Sequence, residues 1–389
     1  MSKTKILILH TSVGHGIKVT ALNVAQKLEA SGKYEVRVED IQKVVGGSSG
    51  RLFQKIYLAI LDRFSFVWGF LYTSRIVLWL SLPIRKPIAR FRSKNLLKLL
   101  REYQPAIVIS TQTISTGIVA YLKSKGLYRG QLVAVFSDFH LHRFWMYREV
   151  DLYICAIAEQ VAELKRLKVP QEKIAVTGLI LGEIFEHTID KDEARRELGL
   201  LTTMPTVLVF NGARPRMEIK ELFLRLLRST KSFQIVVVCA LNEELKKALE
   251  EISPPAPHPV KILGYAHNMD VLMTAASVMI GKTGGPTMGE AILKQLPIIL
   301  IDVRAGHEQV NLEYLLRNDI AQYARNPAEA TFFVEQILNG QAKPDWTKAN
   351  RKLIKPEGWV SIVQAIDRIR PQETSKISGL TIKNYQFDM

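Results

Sequence analysis

The chain has 389 residues, of which 47% are hydrophobic and 23% are charged, and this length suits two α/β domains better than one core. A net charge of +16 at pH 7 indicates an acidic partner: an anionic lipid, a nucleic acid or a phosphorylated small molecule. The first apolar run is too short for a signal peptide, and no stretch reaches the roughly 20 apolar residues of a membrane span, which excludes a spanning protein. Cys155 and Cys239 lie in apolar runs and are expected as buried free thiols in a reducing compartment, not as a disulfide framework.

From the N-terminus, six apolar runs alternate with helical segments such as Ile17–Ser31 and Ser115–Lys125, the order that produces a parallel, doubly wound sheet. The runs are Lys5–His10, Glu35–Asp40, Ala106–Thr111, Leu132–Asp138, Asp151–Ala156 and Lys173–Gly178. After a polar linker at residues 183–205 come five more: Thr206–Asn211, Gln234–Cys239, Val260–Tyr265, Ser277–Lys282 and Pro297–Asp302. The sequence therefore predicts two Rossmann-like domains, residues 1–182 and 206–355, facing across a cleft. The final segment, residues 356–389, is expected to be a helix that packs back on the first domain, followed by a loose tail.

A basic, aromatic stretch, Arg51–Arg101, lies between the second and third strands. It holds eleven lysines and arginines against one acidic residue, so it carries +10 of the net charge. Apolar bulk mixed with cations suits an anionic membrane surface. We expect peripheral contact with the cytoplasmic face of a membrane through Trp68, Phe70, Arg75, Trp79 and Arg85. The alternative is a set of core helices with basic faces in solvent.

Two loops of the first domain carry candidate chemistry, because ligands of doubly wound sheets bind beyond the carboxyl ends of the strands. The loop Thr11–Gly16 has two glycines that permit close backbone approach and a histidine, His15, that can take a proton near neutral pH. The alternative for His15 is a polar loop residue or a phosphate contact. Asp138 ends the fourth strand and is expected to orient a base or bind an acceptor hydroxyl. It is followed by His140, His142 and Trp145, with no further ligand at the spacing of a metal site.

The segment Gly281–Ala291 is the sharpest signal in the second domain. A strand end is followed by two glycines and by Pro286 at the position of a first helical residue, so free N–H groups and the helix dipole favour an anion. Glu290, one turn later, can accept two hydrogen bonds from ribose hydroxyls, or can serve only as a partner of the helix dipole. The P-loop pattern GxxxxGK[ST] is absent.

Two further loops carry polar residues. Glu308, Gln309 and Asn311 follow the last predicted strand and suit a hydroxyl-rich ligand such as a sugar, or form an ordinary helix N-terminus. In the loop Asn211–Met217, Arg214 or Arg216 could neutralise a phosphate, or both could be solvated.

These motifs resemble glycosyltransferase family 28, and within it the monogalactosyldiacylglycerol synthases and the bacterial processive diacylglycerol glucosyltransferases. The resemblance runs from residue 5 to about residue 320 and rests on VGHG, FVWGFLY, SDFHLHRFW, KIAVTGL, VVVCALNEEL, GKTGGPTMGEAILKQLPIIL and GHEQVNLEYL. It implies a GT-B fold with an acceptor-binding N-terminal half and a UDP-sugar-binding C-terminal half. It also implies inversion at the anomeric carbon, with no required metal and no cofactor.

The resemblance assigns roles to residues. His15 would be the base, helped by Asp138, and His142 and Trp145 would lie on the acceptor side. Diphosphate contacts are carried to Thr283, Gly284 and Gly285, the ribose contact to Glu290, and sugar contacts to Glu308 and Gln309. Further candidates for donor binding are Gly14, Arg214, Asn242 and Thr287. Two departures stand out: the glycine-rich turn of the second half is NGARPRM, where arginine would replace backbone N–H donors, and the family's CGxN turn is CALN, without its glycine.

The sequence therefore predicts an enzyme that moves a hexose from a UDP-sugar to a diacylglycerol-type lipid. One alternative is a soluble GT-B enzyme, either a UDP-sugar epimerase or a transferase with a polar acceptor. Another is a non-catalytic relative that binds UDP-sugar or lipid. A nucleic-acid partner is disfavoured, because no RNA-binding module signature is found.

Overall fold

A computed structural model of the protein describes residues 3–11, 15–45, 93–210, 219–252, 258–303, 306–341 and 344–370. Its first sheet has six parallel strands in the order β2-β1-β3-β4-β5-β6. The strands are β1 Thr4–His10, β2 Tyr34–Asp40, β3 Ile107–Ser110, β4 Gln131–Val135, β5 Leu152–Cys155 and β6 Ile174–Val176. The helices beside them are α1 His15–Ala30, α2 at residues 41–45, α3 at residues 93–103, α4 Thr113–Ser124 and α5 Ala158–Arg166. The interiors of β1 and of β3 to β6 are almost entirely apolar because helices cover both faces of the sheet, whereas the edge strand β2 alternates charged and apolar residues.

The second sheet also has six parallel strands, in the order β12-β11-β10-β7-β8-β9. Its strands are β7 Thr206–Phe210, β8 Gln234–Val238, β9 Val260–Leu263, β10 Val278–Gly281, β11 Ile298–Leu300 and β12 Gln322–Tyr323. The helices that follow α5 are α6 Lys191–Glu197, α7 Ile219–Leu227, α8 Glu243–Glu250, α9 Met269–Ala275, α10 Gly285–Leu293, α11 His307–Arg317, α12 Pro327–Leu338, α13 Trp346–Leu353 and α14 Ile362–Asp367. All eleven predicted strands are present; β12 was not predicted, because two residues are too short to show a period.

The segments that connect the two sheets are themselves folded. Helix α6 lies in the polar stretch between the sheets and packs against α9, where the buried Arg195 side chain donates to the carbonyl oxygen of Ala275. After α13 the chain returns to the first sheet. The Trp359 indole N–H donates to the carbonyl oxygen of Thr177, α14 packs on α1, and the Tyr34 hydroxyl donates to Asp367 at 2.5 Å.

Helix α3 contains the end of the basic, aromatic stretch. Leu96 and Leu100 are buried in the core of the first half, whereas Lys94 and Lys98 face solvent. This part of the stretch is therefore a core helix with a basic outer face, the alternative considered above. Trp68, Phe70, Arg75, Trp79 and Arg85, expected at the membrane, lie outside the described residues. Among the helices that the structure does describe, none is long and apolar enough to cross a bilayer.

Each sheet has one point where its strand order reverses direction. In the first sheet β2 lies on one side of β1 and β3 on the other; in the second, β8 lies on one side of β7 and β10 on the other. Loops at such a point diverge and leave a crevice beyond the carboxyl ends of the strands. The loops that follow β1 and β10 are therefore where a ligand is expected, and both were singled out from the sequence.

Candidate active site

The N-termini of helices α1, α10 and α11 lie together between the two sheets. This region is called the seam. Helix α1 touches α10, because a Cβ atom placed on Gly16 would lie 3.3 Å from the Cδ atom of Pro286. Helix α10 is linked to α11 by the Thr283 hydroxyl, which donates to the carbonyl oxygen of Glu308 at 3.2 Å. The N-terminal N–H groups of a helix lack intrahelical partners and carry its positive dipole end. The seam is therefore suited to an anion, and a diphosphate could reach more than one of these helix starts.

His15 is the first residue of α1, directly before Gly16. Its backbone therefore lies at the seam, directly after the loop that follows β1, while Gly14 and the His15 side chain are outside the described part of the chain. The assignment of His15 as a base stays a prediction.

The loop after β4 approaches the seam from the first half and is held from two sides. The Asp138 carboxylate accepts a hydrogen bond from the Asn311 side chain at 3.1 Å. The buried Gln160 side chain donates to the carbonyl oxygens of Asp138, at 2.8 Å, and His140, at 3.1 Å. A buried amide with several partners keeps a loop in one conformation. No motif pointed to Gln160, because the two loop carbonyls to which it donates lie 20 and 22 residues away in sequence.

The side chains of His142 and Trp145 pack against other residues of the first half. The Nδ1 atom of His142 accepts the backbone N–H of Phe144 at 3.2 Å, and the two rings lie 4.4 Å apart. The Trp145 ring meets Phe136 edge-to-face at 5.2 Å. These contacts shape the segment after Asp138, and the acceptor role of both residues stays a prediction. Over the described ranges, no group of three or more His, Cys, Asp or Glu residues is arranged to hold a metal ion.

Glu290 lies one turn inside α10 and is only 9% exposed. Burial raises the pKa of its carboxyl from the ordinary 4.5 to about 7, and loss of solvent is the sole cause. No hydrogen bond or ion pair to this side chain comes from the described parts of the chain. A buried carboxylate is costly unless donors reach it, so two hydroxyls of a ligand would remove much of that cost.

In the loop between β10 and α10, Thr283 and Gly284 offer backbone groups to a ligand, not side chains. The Thr283 side chain is fully buried, and its hydroxyl is taken by the Glu308 carbonyl. Gly284 is exposed at the N-cap of α10, and Thr287 is partly exposed in the first turn. A Cβ atom on Gly285 would overlap with the carbonyl oxygen of Ser137, which belongs to the first half. Only glycine allows the two halves to approach this closely.

The start of α11 supplies the other side of the seam. Its N-cap, Gly306, has φ 101° and ψ −131°, a conformation that favours glycine. Glu308 is partly buried, while Gln309 is exposed with its amide 3.1 Å from Glu313. Both remain candidates for contact with a sugar. Asn311, grouped with them from the sequence, is instead fully buried and bonded to protein atoms.

The turn after β8 departs from the family pattern in sequence, and its backbone has a conformation that suits the missing glycine. Ala240, at the position of the expected glycine, has φ +52°, a left-handed conformation that is strained for alanine. The side-chain oxygen of Asn242 accepts the N–H of Leu245 and so caps α8. Arg214, the other candidate of this half, lies outside the described residues.

Comparison with known proteins matches both halves of the chain. Residues 15–181 match the family described as monogalactosyldiacylglycerol (MGDG) synthase, and residues 206–358 match the glycosyltransferase family 28 C-terminal domain. Proteins named processive diacylglycerol beta-glucosyltransferase, from Bacillus cereus (strain 03BB102) and Bacillus anthracis (strain A0248), are each 30% identical over 371 residues. The aligned region covers 93% of this chain and 93% of each relative.

Solved structures are similar in fold over nearly the whole chain. Acinetobacter baumannii MurG superposes with a TM-score of 0.59 at 13% identity, covering 95% of this chain and 99% of the other. Anabaena Alr3699/HepE, solved in complex with UDP-glucose, gives a TM-score of 0.53 at 15% identity, covering 94% and 98%. These likenesses confirm the predicted architecture, two Rossmann-like domains in the GT-B arrangement.

Proposed function

The chain belongs to glycosyltransferase family 28 and is a glycosyltransferase, and from this premise we propose that it moves a hexose from a UDP-sugar to a diacylglycerol-type lipid, with inversion at the anomeric carbon and without a metal ion or cofactor. The observation that carries the proposal is the seam itself, where three helix N-termini lie together and the buried carboxyl of Glu290, on one of these helices, has no hydrogen-bond or ion-pair partner among the described residues. A nucleoside diphosphate has an anion for the first feature and ribose hydroxyls for the second.

On the donor side, backbone N–H groups of Gly284, Gly285 and the following turn would bind the diphosphate. Glu290 would accept the ribose hydroxyls, and Glu308 and Gln309 would contact the hexose. The tight approach of Gly285 to Ser137 supports this, because it brings the donor loop against the acceptor-side loop of the other half. The transferred carbon would then lie between the two loops.

In the reaction, the acceptor hydroxyl gives its proton to His15 and its oxygen forms a bond with the anomeric carbon. The bond between that carbon and the diphosphate oxygen breaks on the opposite face, and its electron pair leaves with UDP. Helix N-termini would stabilise the growing charge on the diphosphate. Asp138, partly exposed at the seam, would orient either the base or the acceptor hydroxyl.

The lipid acceptor is supported by the names of the relatives, which are diacylglycerol glucosyltransferases. The excess of positive charge in Arg51–Arg101 supports peripheral attachment to an anionic, cytoplasmic membrane surface. Within that stretch α3 is a core helix, so the membrane contact is assigned to residues 51–92.

The proposal is tested by incubating the protein with radiolabelled UDP-glucose, UDP-galactose and UDP-N-acetylglucosamine, together with vesicles that contain diacylglycerol. Label in the lipid extract, with inverted anomeric configuration by NMR and no loss of rate in EDTA, is the expected result. The proposal would be contradicted if the label stayed in water-soluble products with every donor, or if the protein bound UDP without turnover. These two outcomes correspond to the soluble-enzyme and the non-catalytic alternatives.

A further inference from the structure

One buried side-chain amide joins the two halves at the seam. Asn311, on α11 of the second half, is fully buried and makes three hydrogen bonds through its side chain. Two go to the first half: the N–H of Phe139 donates to the amide oxygen at 3.0 Å, and the amide nitrogen donates to the Asp138 carboxylate at 3.1 Å. The third goes to the carbonyl oxygen of Thr283, in the donor loop, at 3.1 Å.

The chemistry of these partners fixes the orientation of the Asn311 amide. The Asp138 carboxylate oxygen and the Thr283 carbonyl oxygen only accept, so the NH₂ group faces them, and the Phe139 N–H only donates, so the oxygen faces it. Turning the amide over would break all three bonds. Both N–H bonds are used within the protein, which leaves Asn311 without a donor for a sugar hydroxyl.

We propose that Asn311 is a positioning residue that fixes the Asp138 carboxylate relative to the donor loop. The Asp138 carboxylate is then in place only while the two halves are in contact. The inference rests on the proposed function, which gives Asp138 its role. One oxygen of Asp138 is held by Asn311, and the other makes no hydrogen bond within the described parts of the chain. That second oxygen is the one available to an acceptor hydroxyl or to a base.

The hydrogen bonds around Asp138 distinguish Asn311 from an amide that only stabilises the fold. Gln160, which belongs to the same half as Asp138, holds the backbone of the loop through the carbonyl oxygens of Asp138 and His140. Only Asn311 reaches the Asp138 side chain in the described structure, and it does so from the other half. Removing Asn311 would therefore release the Asp138 carboxylate and the Phe139 N–H, while the two Gln160 bonds still hold the backbone of the loop.

The experiment compares Asn311→Ala and the isosteric Asn311→Asp with the wild-type enzyme. The matched control is Asn318→Ala, at the end of the same helix, where a 9% exposed amide donates to the Tyr314 carbonyl at 2.9 Å. We expect Asn311→Ala to lower kcat on the order of 10–100-fold, because a displaced catalytic group costs that much, with the Kd for UDP changed by less than about threefold. Asn311→Asp is expected to lose more, since a carboxylate would face the Asp138 and Thr283 oxygens. Asn318→Ala should lower Tm and keep kcat.

Several results would overturn the inference. Asn311→Ala with kcat within about twofold of wild type and a lowered Tm would make Asn311 structural only. A raised KM for UDP-sugar at unchanged kcat would make it a donor contact. If Asn311→Ala does not fold, Asn311→Ser, a polar substitution that adds no charge, carries the same comparison.

A wild-type enzyme that transfers no hexose would contradict the proposed function without deciding this inference. In that case a double-mutant cycle in Tm decides it: the losses caused by Asp138→Ala and Asn311→Ala should be less than additive in the double variant. Additive losses would show that the two side chains are not coupled and would overturn the inference by itself.

Discussion

The burial of the Glu290 carboxyl predicts the direction in which the free energy of unfolding changes with pH. Its pKa is about 7 in the folded protein against an ordinary value of 4.5, so the folded state holds this proton more tightly than the unfolded chain. The free energy of unfolding is therefore expected to fall as pH rises from about 4.5 to about 7. The difference between the two pKa values corresponds to roughly 3 kcal/mol.

Glu290→Gln keeps the shape of the protonated carboxyl and cannot ionise. Near pH 4.5 the variant and the wild type should have similar free energies of unfolding, and at pH 8 the variant should be more stable by up to roughly 3 kcal/mol. UDP should bind the variant more weakly, because the carboxylate proposed to accept the ribose hydroxyls is gone. For the same reason, wild-type affinity for UDP should rise with pH between 6 and 8.

The measurement is urea unfolding at pH 4.5 and pH 8, with UDP titrations by calorimetry. Glu102→Gln is the control, because the Glu102 side chain is 59% exposed on α3 and its substitution should change the free energy of unfolding little at either pH. The reasoning would be refuted if Glu290→Gln changed the free energy of unfolding equally at both pH values, or if the variant were less stable than wild type at pH 8. Unchanged UDP affinity would remove Glu290 from the donor site.

The other predictions concern the backbone at the seam and the base. Ala240→Gly should raise stability by about 0.5–1 kcal/mol in urea unfolding, because glycine adopts φ +52° without strain; a loss of stability would contradict this. Gly285→Ala should lower both Tm and transfer, since its Cβ would overlap with the carbonyl oxygen of Ser137, whereas Gly264→Ala, where a Cβ has ordinary contacts, should change neither. His15→Ala should lower kcat roughly 10²–10⁴-fold with UDP still bound, and near-full turnover would remove His15 from the role of base.

The sequence alone determined the sheet-and-helix order, and it predicted the loops where ligands are expected to bind. Strands such as β1 and β10 were predicted because short apolar runs bounded by glycine or polar residues are a local signal, and Pro286 marked the start of α10 for the same kind of reason. The ends of these strands located the loops at the seam. Family motifs, read residue by residue, gave the fold type and the class of enzyme.

The tertiary structure alone decided how these pieces act on one another. Asn311 was grouped with sugar contacts because its neighbours in sequence are Glu308 and Gln309; its bonds to Asp138 and Phe139 join residues 173 and 172 positions apart. Helical and strand periods report which face of an element is apolar, but they do not encode the relative placement of two separately formed sheets. That placement sets which polar groups meet at the seam, and so it sets the chemistry there.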